Sequence, residues 1–182
     1  MDGRSYTATF AVKIDPRVKA SPADLEEQFH LETRLSSNMT RSSMAVRQAR
    51  SVHEQLQKLS GQTSGALNGS IKELDKKVSA ILDGSENLPD GSSAKPSLNN
   101  VNGNINVLYK SVAGADAKPT RAQAEASVEA EHDLAVVMEQ WDELKTTDLP
   151  TINRQLRDAN LPEIHPERKP DQDESDTNVD EA

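Results

Sequence analysis

Between residues 23 and 60 there is neither a glycine nor a proline. Over the same stretch Leu25, Phe29, Leu35, Met39, Val46, Ala49, Val52, Leu56 and Leu59 recur at near three-and-four spacing. That period predicts one amphipathic helix, with a length of up to ~57 Å at about 1.5 Å per residue. A helix so long cannot bury its stripe within a small globule, so other helices must line it and the expected fold is a bundle. Ser21-Pro22-Ala23-Asp24 supplies the start: Ser21 can cap, Pro22 suits the first turn and Asp24 favours the positive helix end. Ser36, Ser37, Ser42 and Ser43 weaken the middle, where a bend is expected.

Three more stripes follow. Leu67, Ile71, Leu74, Val78 and Ile81 mark a second helix after the turn glycines Gly61, Gly65 and Gly69. Residues 84–96 read as a loop. Ser97 can then cap a third helix, in which Leu98, Val101, Ile105, Leu108 and Val112 keep heptad spacing despite Gly103. Gly114 to Pro119 turns the chain, and Thr120 with Gln123 has capping-box form. The fourth stripe is Val128, Leu134, Val137, Met138, Trp141 and Leu144. Asp148-Leu149-Pro150 is expected to start a short last helix with Ile152 and Leu156. Asn160 can take the left-handed position behind it, Leu161 the accompanying contact, and Pro162 the stop. The expected fold class is therefore mainly α: an up-down antiparallel helical bundle of about four main helices plus a short terminal helix over residues 19–165.

One element precedes the bundle. Tyr6, Ala8, Phe10, Val12 and Ile14 alternate with Thr7, Thr9, Ala11 and Lys13, the period of a half-buried β-strand. A lone strand cannot satisfy its own backbone donors and acceptors. Residues 1–18 are thus expected to be the last strand and exit turn of a sheet the chain does not contain. Through residues 5–14 the chain would complete another domain's sheet or associate with itself.

Composition narrows the chemistry. Only 34% of residues are hydrophobic and 3% aromatic, which suits narrow helical stripes rather than a wide aromatic pocket. The absence of cysteine excludes disulfides, thiolate metal sites and thiol catalysis. No stretch reaches the ~20 apolar residues of a membrane span, and no signal-peptide pattern is present. Residues 166–182 hold seven acids against two bases, more than half of the net charge of −9. With almost no apolar residue there, a disordered acidic tail is expected.

Candidate chemical motifs are few. Glu27-Gln28-Phe29-His30 and Glu129-Ala130-Glu131-His132 have the Glu-x-x-His spacing of a di-iron bundle. The centre also needs a Glu from each remaining helix; the second offers Glu73, and the third has no acid. His30 and His132 also fall off their apolar stripes, so surface histidines are expected. His53 and His165 lack local catalytic partners. Arg34, Arg41, Arg47 and Arg50 line the first helix among Glu26, Glu27, Glu32 and Glu54, which reads as a solvated face rather than a nucleic-acid surface. Trp141 reads as core. Asn99, Asn100, Asn102, Asn104 and Asn106 read as a weak helix held by packing. No catalytic residue, cofactor or metal ligand is assigned.

Val12 to Val18 (Val-Lys-Ile-Asp-Pro-Arg-Val), Ser21 to Phe29, Leu108-Tyr109, Gly114-Ala115-Asp116, Pro119-Thr120, Trp141, Asp148 to Asn153 and Ala159 to Pro162 carry a family likeness. Together they resemble the C-terminal helical region of large bacterial sortilin-type and Asp-box (sialidase-like) β-propeller proteins, often labelled glycosyl hydrolases. The resemblance covers residues 5 to 165. It implies a propeller, then a small β-sandwich whose last strand ends in an Asp-Pro-Arg turn, then helices. It also implies an exported parent protein. It carries no catalytic residue, and no Asp-box occurs in this chain. The expected function is a non-catalytic helical-bundle module at the C-terminus of such a protein, for intramolecular docking or protein–protein interaction. The alternative is the tail of a secreted glycosidase-like propeller enzyme whose active site lies outside this chain.

Overall fold

The computed structural model describes residues 7–13, 15–84 and 95–167. Among the described residues there are five α-helices: α1 (Pro22–Ser60), α2 (Gly65–Asp83), α3 (Leu98–Ala113), α4 (Arg121–Glu143) and α5 (Leu149–Asp158). This is the mainly α bundle of four main helices and a shorter terminal one that the stripes predict.

The caps form as their residues dictate. Ser21 Oγ accepts from the Asp24 amide at 3.2 Å while the Asp24 carboxylate accepts from the Ser21 amide at 3.0 Å, closing a capping box. Thr120 and Gln123 repeat the arrangement with a neutral side chain. At the far end Asn160 has φ 57°, and the amides of Leu161 and Asn160 reach back to the carbonyls of Leu156 and Arg157 at 2.8 and 3.0 Å. That double bond is the Schellman closure. Gly65, at φ 67°, makes the left-handed step from α1 into α2, where Asn68 Nδ2 donates to the Ser60 carbonyl at 2.7 Å.

Hydrogen bonds between helices reveal how they lie. His53 and Gln57 of α1 meet Asp75 of α2, and Ser60 meets Asn68, so α2 runs antiparallel to α1. Gln28 meets Val112, Ser42 meets Asn102 and Arg50 meets Asn99, so α3 is also antiparallel to α1 and follows the direction of α2. Asn99 Nδ2 donates to Asp83 Oδ1 at 2.6 Å, joining the end of α2 to the start of α3. In contrast α4 runs with α1, Arg34 lying against Glu131 and Gln48 against Trp141. Five helices thus line up as three antiparallel rods: α1, then α2 with α3, then α4 with α5.

The third rod is continuous. Residues Leu144–Asp148 form a single π turn, in which the Leu149 amide bonds to the Leu144 carbonyl. Pro150 explains it, since a proline inside a helix has no amide for the carbonyl four residues back and its ring crowds that carbonyl. The fresh helix start expected at Asp148 is therefore corrected: Asp148 is helical and caps nothing. Its carboxylate instead accepts from Lys77 Nζ of α2 at 3.0 Å.

The core is one cluster along all three rods, with Leu35, Ala49, Val52, Leu56, Ile71, Val78, Leu98, Ile105, Val137, Trp141 and Leu156 fully buried. Two positions of the expected stripes are corrected. Phe29 is 65% exposed and Val128 63% exposed. Counting back by four and three from Leu35 passes through Leu31 to Gln28, and counting back from Leu134 passes through Ala130 to Ser127; these are the buried residues. The bundle keeps a 3.5-residue period there even where the seam residue is polar. The serine-rich middle of α1 is an unbroken helix, because Ser42 and Ser43 donate to Asn102 Oδ1 of α3 at 2.8 and 2.9 Å. Their hydroxyls are satisfied across the seam rather than against their own backbone alone.

No strand forms among the described residues. Thr7 to Lys13 lies clear of the bundle, with Phe10 and Val12 each 86% exposed. Tyr6 and Ile14, two of the five alternating residues, lie outside the described residues, as does the tail from residue 168. Among the described residues, residues 7–13 have no neighbouring ladder to pair with, which is why their backbone is irregular.

Candidate functional site

The polar clusters on the bundle surface are structural joints. His53, half-buried, shares its Nδ1 with Asp75 Oδ1 at 2.7 Å and Ser79 Oγ at 3.4 Å, and Gln57 donates to the other Asp75 oxygen at 2.9 Å. A Ser-His-Asp relay needs the serine and the carboxylate on opposite ring nitrogens. Here both meet the same nitrogen, so the trio fastens α1 to α2 and has no nucleophile.

The Glu-x-x-His residues do not converge. Glu27 pairs with Lys118 at 3.3 Å, exposed His30 lies 3.8 Å from Glu26, and Glu129, His132 and Glu73 are exposed. Among the described residues no three His, Asp or Glu side chains are close enough to hold a metal ion. No helix of the described residues is long and apolar enough to cross a membrane.

Other singled-out residues have definite places. Trp141 is fully buried, its Nε1 donates to Gln48 Oε1 at 3.2 Å, and Lys145 Nζ lies 5.8 Å from its ring centroid. Asn99 and Asn102 join α3 to its neighbours, while Asn100 and Asn104 are exposed. Of the α1 arginines, Arg34 bonds Glu131 at 3.1 Å and Ser127 at 3.3 Å, and Arg50 bonds Asn99 at 3.1 Å.

Gln28 is the buried residue that hydrophobic spacing misses. Its amide NH₂ donates to the carbonyls of Val112 at 3.1 Å and Ala115 at 2.8 Å, and its oxygen accepts from the Ala117 amide at 3.1 Å. One side chain therefore satisfies the carbonyls that end α3 and braces the turn into α4. Its only sequence signal is its position three and seven residues before Leu31 and Leu35.

A shallow groove of about 440 Å³ lies between α5 and the returning chain, lined by Lys145, Arg154, Arg157, Glu163 and His165 among others. Arg157 is already paired with Glu163 at 3.0 Å and Lys145 with Asp142 at 2.8 Å. The groove is open, its lining includes the apolar Leu149, Pro150, Ile164 and Pro166 beside the charged residues, and two of its three lysine and arginine side chains are already paired.

The N-terminal segment is organised differently. Behind the exposed Phe10 and Val12, the Asp15 carboxylate accepts from the Arg17 amide at 2.9 Å and from the Arg17 guanidinium at 2.7 Å. The Val18 amide closes the turn on the Asp15 carbonyl at 2.9 Å. The Arg17 side chain, and then its amide, hold the Asp15 carboxyl below its ordinary value, and Asp15 raises Arg17 in return. Both groups are exposed, so the clamp fixes the local chain direction rather than adding much stability.

No family model, curated protein or solved structure matches the chain.

Proposed function

We propose that the chain is a non-catalytic helical-bundle module of a larger β-propeller protein, docked to that protein's preceding β-domain through residues 5–14. The observation that carries this reading is the exposure of Phe10 and Val12, 86% each, on a segment of strand-like alternation that leaves the bundle through the Asp15–Arg17 clamp. Pairing of such a segment with a sheet edge gives affinity through main-chain hydrogen bonds and specificity through alternate side chains. The long bundle then stands as a rigid arm for contacts within the parent protein or with another one. The His53–Asp75, Arg34–Glu131 and Lys77–Asp148 contacts support a non-catalytic role, since they are spent on joining helices.

Hydrogen exchange on the full chain, alone and mixed with the parent's β-domain, tests this. At concentrations where the chain alone is monomeric, amides 7–13 should exchange at unprotected rates and become protected in the mixture, with Phe10→Asp/Val12→Asp abolishing the effect. Unchanged exchange at these amides in the mixture would refute the docking role.

A further inference from the structure

The groove between α5 and the returning chain has walls that are fixed before any ligand arrives. Asn153 of α5 accepts from the Ile164 amide and donates to the Ile164 carbonyl, 2.9 Å each, and Gln55 of α1 accepts from the His165 amide at 3.1 Å and donates to the His165 carbonyl at 2.9 Å. Two successive residues are thus held at both backbone groups, and buried Ile164 anchors them in the core. On the facing wall Arg154 and Arg157 stand one turn apart on α5. Arg154 is exposed and has no hydrogen bond or ion pair among the described residues, and neither does the ring of exposed His165. Arg157 gives Nε to Glu163 at 3.0 Å, which fixes the guanidinium and leaves its two terminal nitrogens open to another acceptor.

We propose that this groove binds a short acidic peptide of a partner protein, with a carboxylate on Arg154 and the open edge of Arg157, and an adjacent apolar side chain against Leu149 and Pro150. Charge selects the sign of the ligand. The lining carries three lysine and arginine side chains against the single acid Glu163, on a chain whose net charge is −9. Arginine selects the carboxylate, because a planar guanidinium meets it through two parallel hydrogen bonds and loses little freedom in doing so. Size and polarity select a peptide over a small inorganic anion. A volume of about 440 Å³ lies within the ordinary ~300–1,000 Å³ of ligand sites, and an inorganic anion would leave the apolar part of the lining uncovered. Walls already held by Asn153 and Gln55 keep the ordering cost of binding low. The site is independent of the docking role of residues 5–14.

The probe is the tetrapeptide acetyl-Glu-Leu-Glu-Leu-amide, titrated to millimolar concentration into the isotope-labelled full chain and followed by backbone amide shifts. Saturable shifts should map to residues 149–157 and 163–165. Replacing both glutamates of the peptide by glutamine, or Arg154→Glu in the chain, should weaken binding by about tenfold. Arg154 is exposed and unpaired, so the variant should keep the remaining spectrum of the folded chain. Absence of saturable shifts, or a binding curve unchanged by Arg154→Glu, would overturn the proposal. So would inorganic phosphate saturating the same amides as tightly as the peptide, because the site would then take any small anion. Amides of residues 168–182 that shift on Arg154→Glu without peptide would assign the groove to the acidic end of the chain itself and would overturn it as well.

Discussion

The two halves of α1 solve the same packing problem with different residues. From Ala45 to Leu59 the seam is Ala45, Ala49, Val52, Leu56 and Leu59, all buried and apolar. From Gln28 to Ser42 it sets Leu31 and Leu35 between buried Gln28 and Ser42, whose partners are a turn of the chain and Asn102 of α3. An apolar seam supplies burial but tolerates sliding by one heptad, whereas a buried amide is satisfied only in one register. The difference assigns stability to the C-terminal half and alignment of α3 and α4 to the N-terminal half.

Breaking the apolar half should have the largest effect. Leu56→Ala removes a fully buried side chain and should cost about 2–5 kcal/mol, read from urea unfolding of the full chain. Next comes the polar half. Gln28→Ala strands the Val112 and Ala115 carbonyls and should cost roughly 1–3 kcal/mol, with faster hydrogen exchange localised to the end of α3 and the 114–120 turn. If both substitutions raised exchange evenly along α1, the two halves would not be distinct.

Smaller effects sharpen the contrast. Gly103 sits in α3 with open space where a Cβ would be, so Gly103→Ala should stabilise by about 0.5–1 kcal/mol, measured by the same unfolding curve. The smallest effect distinguishes the two capping boxes. Hydrogen bonds from the Ser21 hydroxyl and then its amide hold the Asp24 carboxyl below its ordinary value, with Lys118 adding to the shift. A depressed carboxyl stabilises the fold above its unfolded pKa, and that contribution is lost as pH falls through the folded value. Amides at the start of α1 should therefore fray below pH ~4, while those behind Thr120 and neutral Gln123 should not change over that window.

Sequence patterning reads the apolar half well and the polar half poorly, for one physical reason. Val78, Ile105 and Leu56 announce their stripes, and Ser21, Ser97, Thr120 and Asn160 announce the ends, because each acts locally. Gln28 takes the place expected for Phe29 because its burial depends on carbonyls more than eighty residues away. The parallel course of α2 and α3 is likewise invisible, since a loop from residue 84 to 96 can equally reverse the chain or carry it onward. At the candidate site the alternation of residues 6–14 is legible, but the exposure of Phe10 and Val12 follows from there being no ladder beside them among the described residues. The arginine row of α1 reads as solvated, and only the packing shows Arg34 tied to Glu131 and Arg50 to Asn99.

The central claim is that residues 5–14 form an adhesive segment on an otherwise self-sufficient bundle. Without its β-domain partner, that segment should pair with the same segment of a second copy. Sedimentation velocity over a concentration series tests this directly. The full chain should show a concentration-dependent dimer, and Phe10→Asp/Val12→Asp should sediment as a monomer with unchanged helical circular dichroism. A full chain that stays monomeric throughout, or a variant that dimerises equally, would contradict the account.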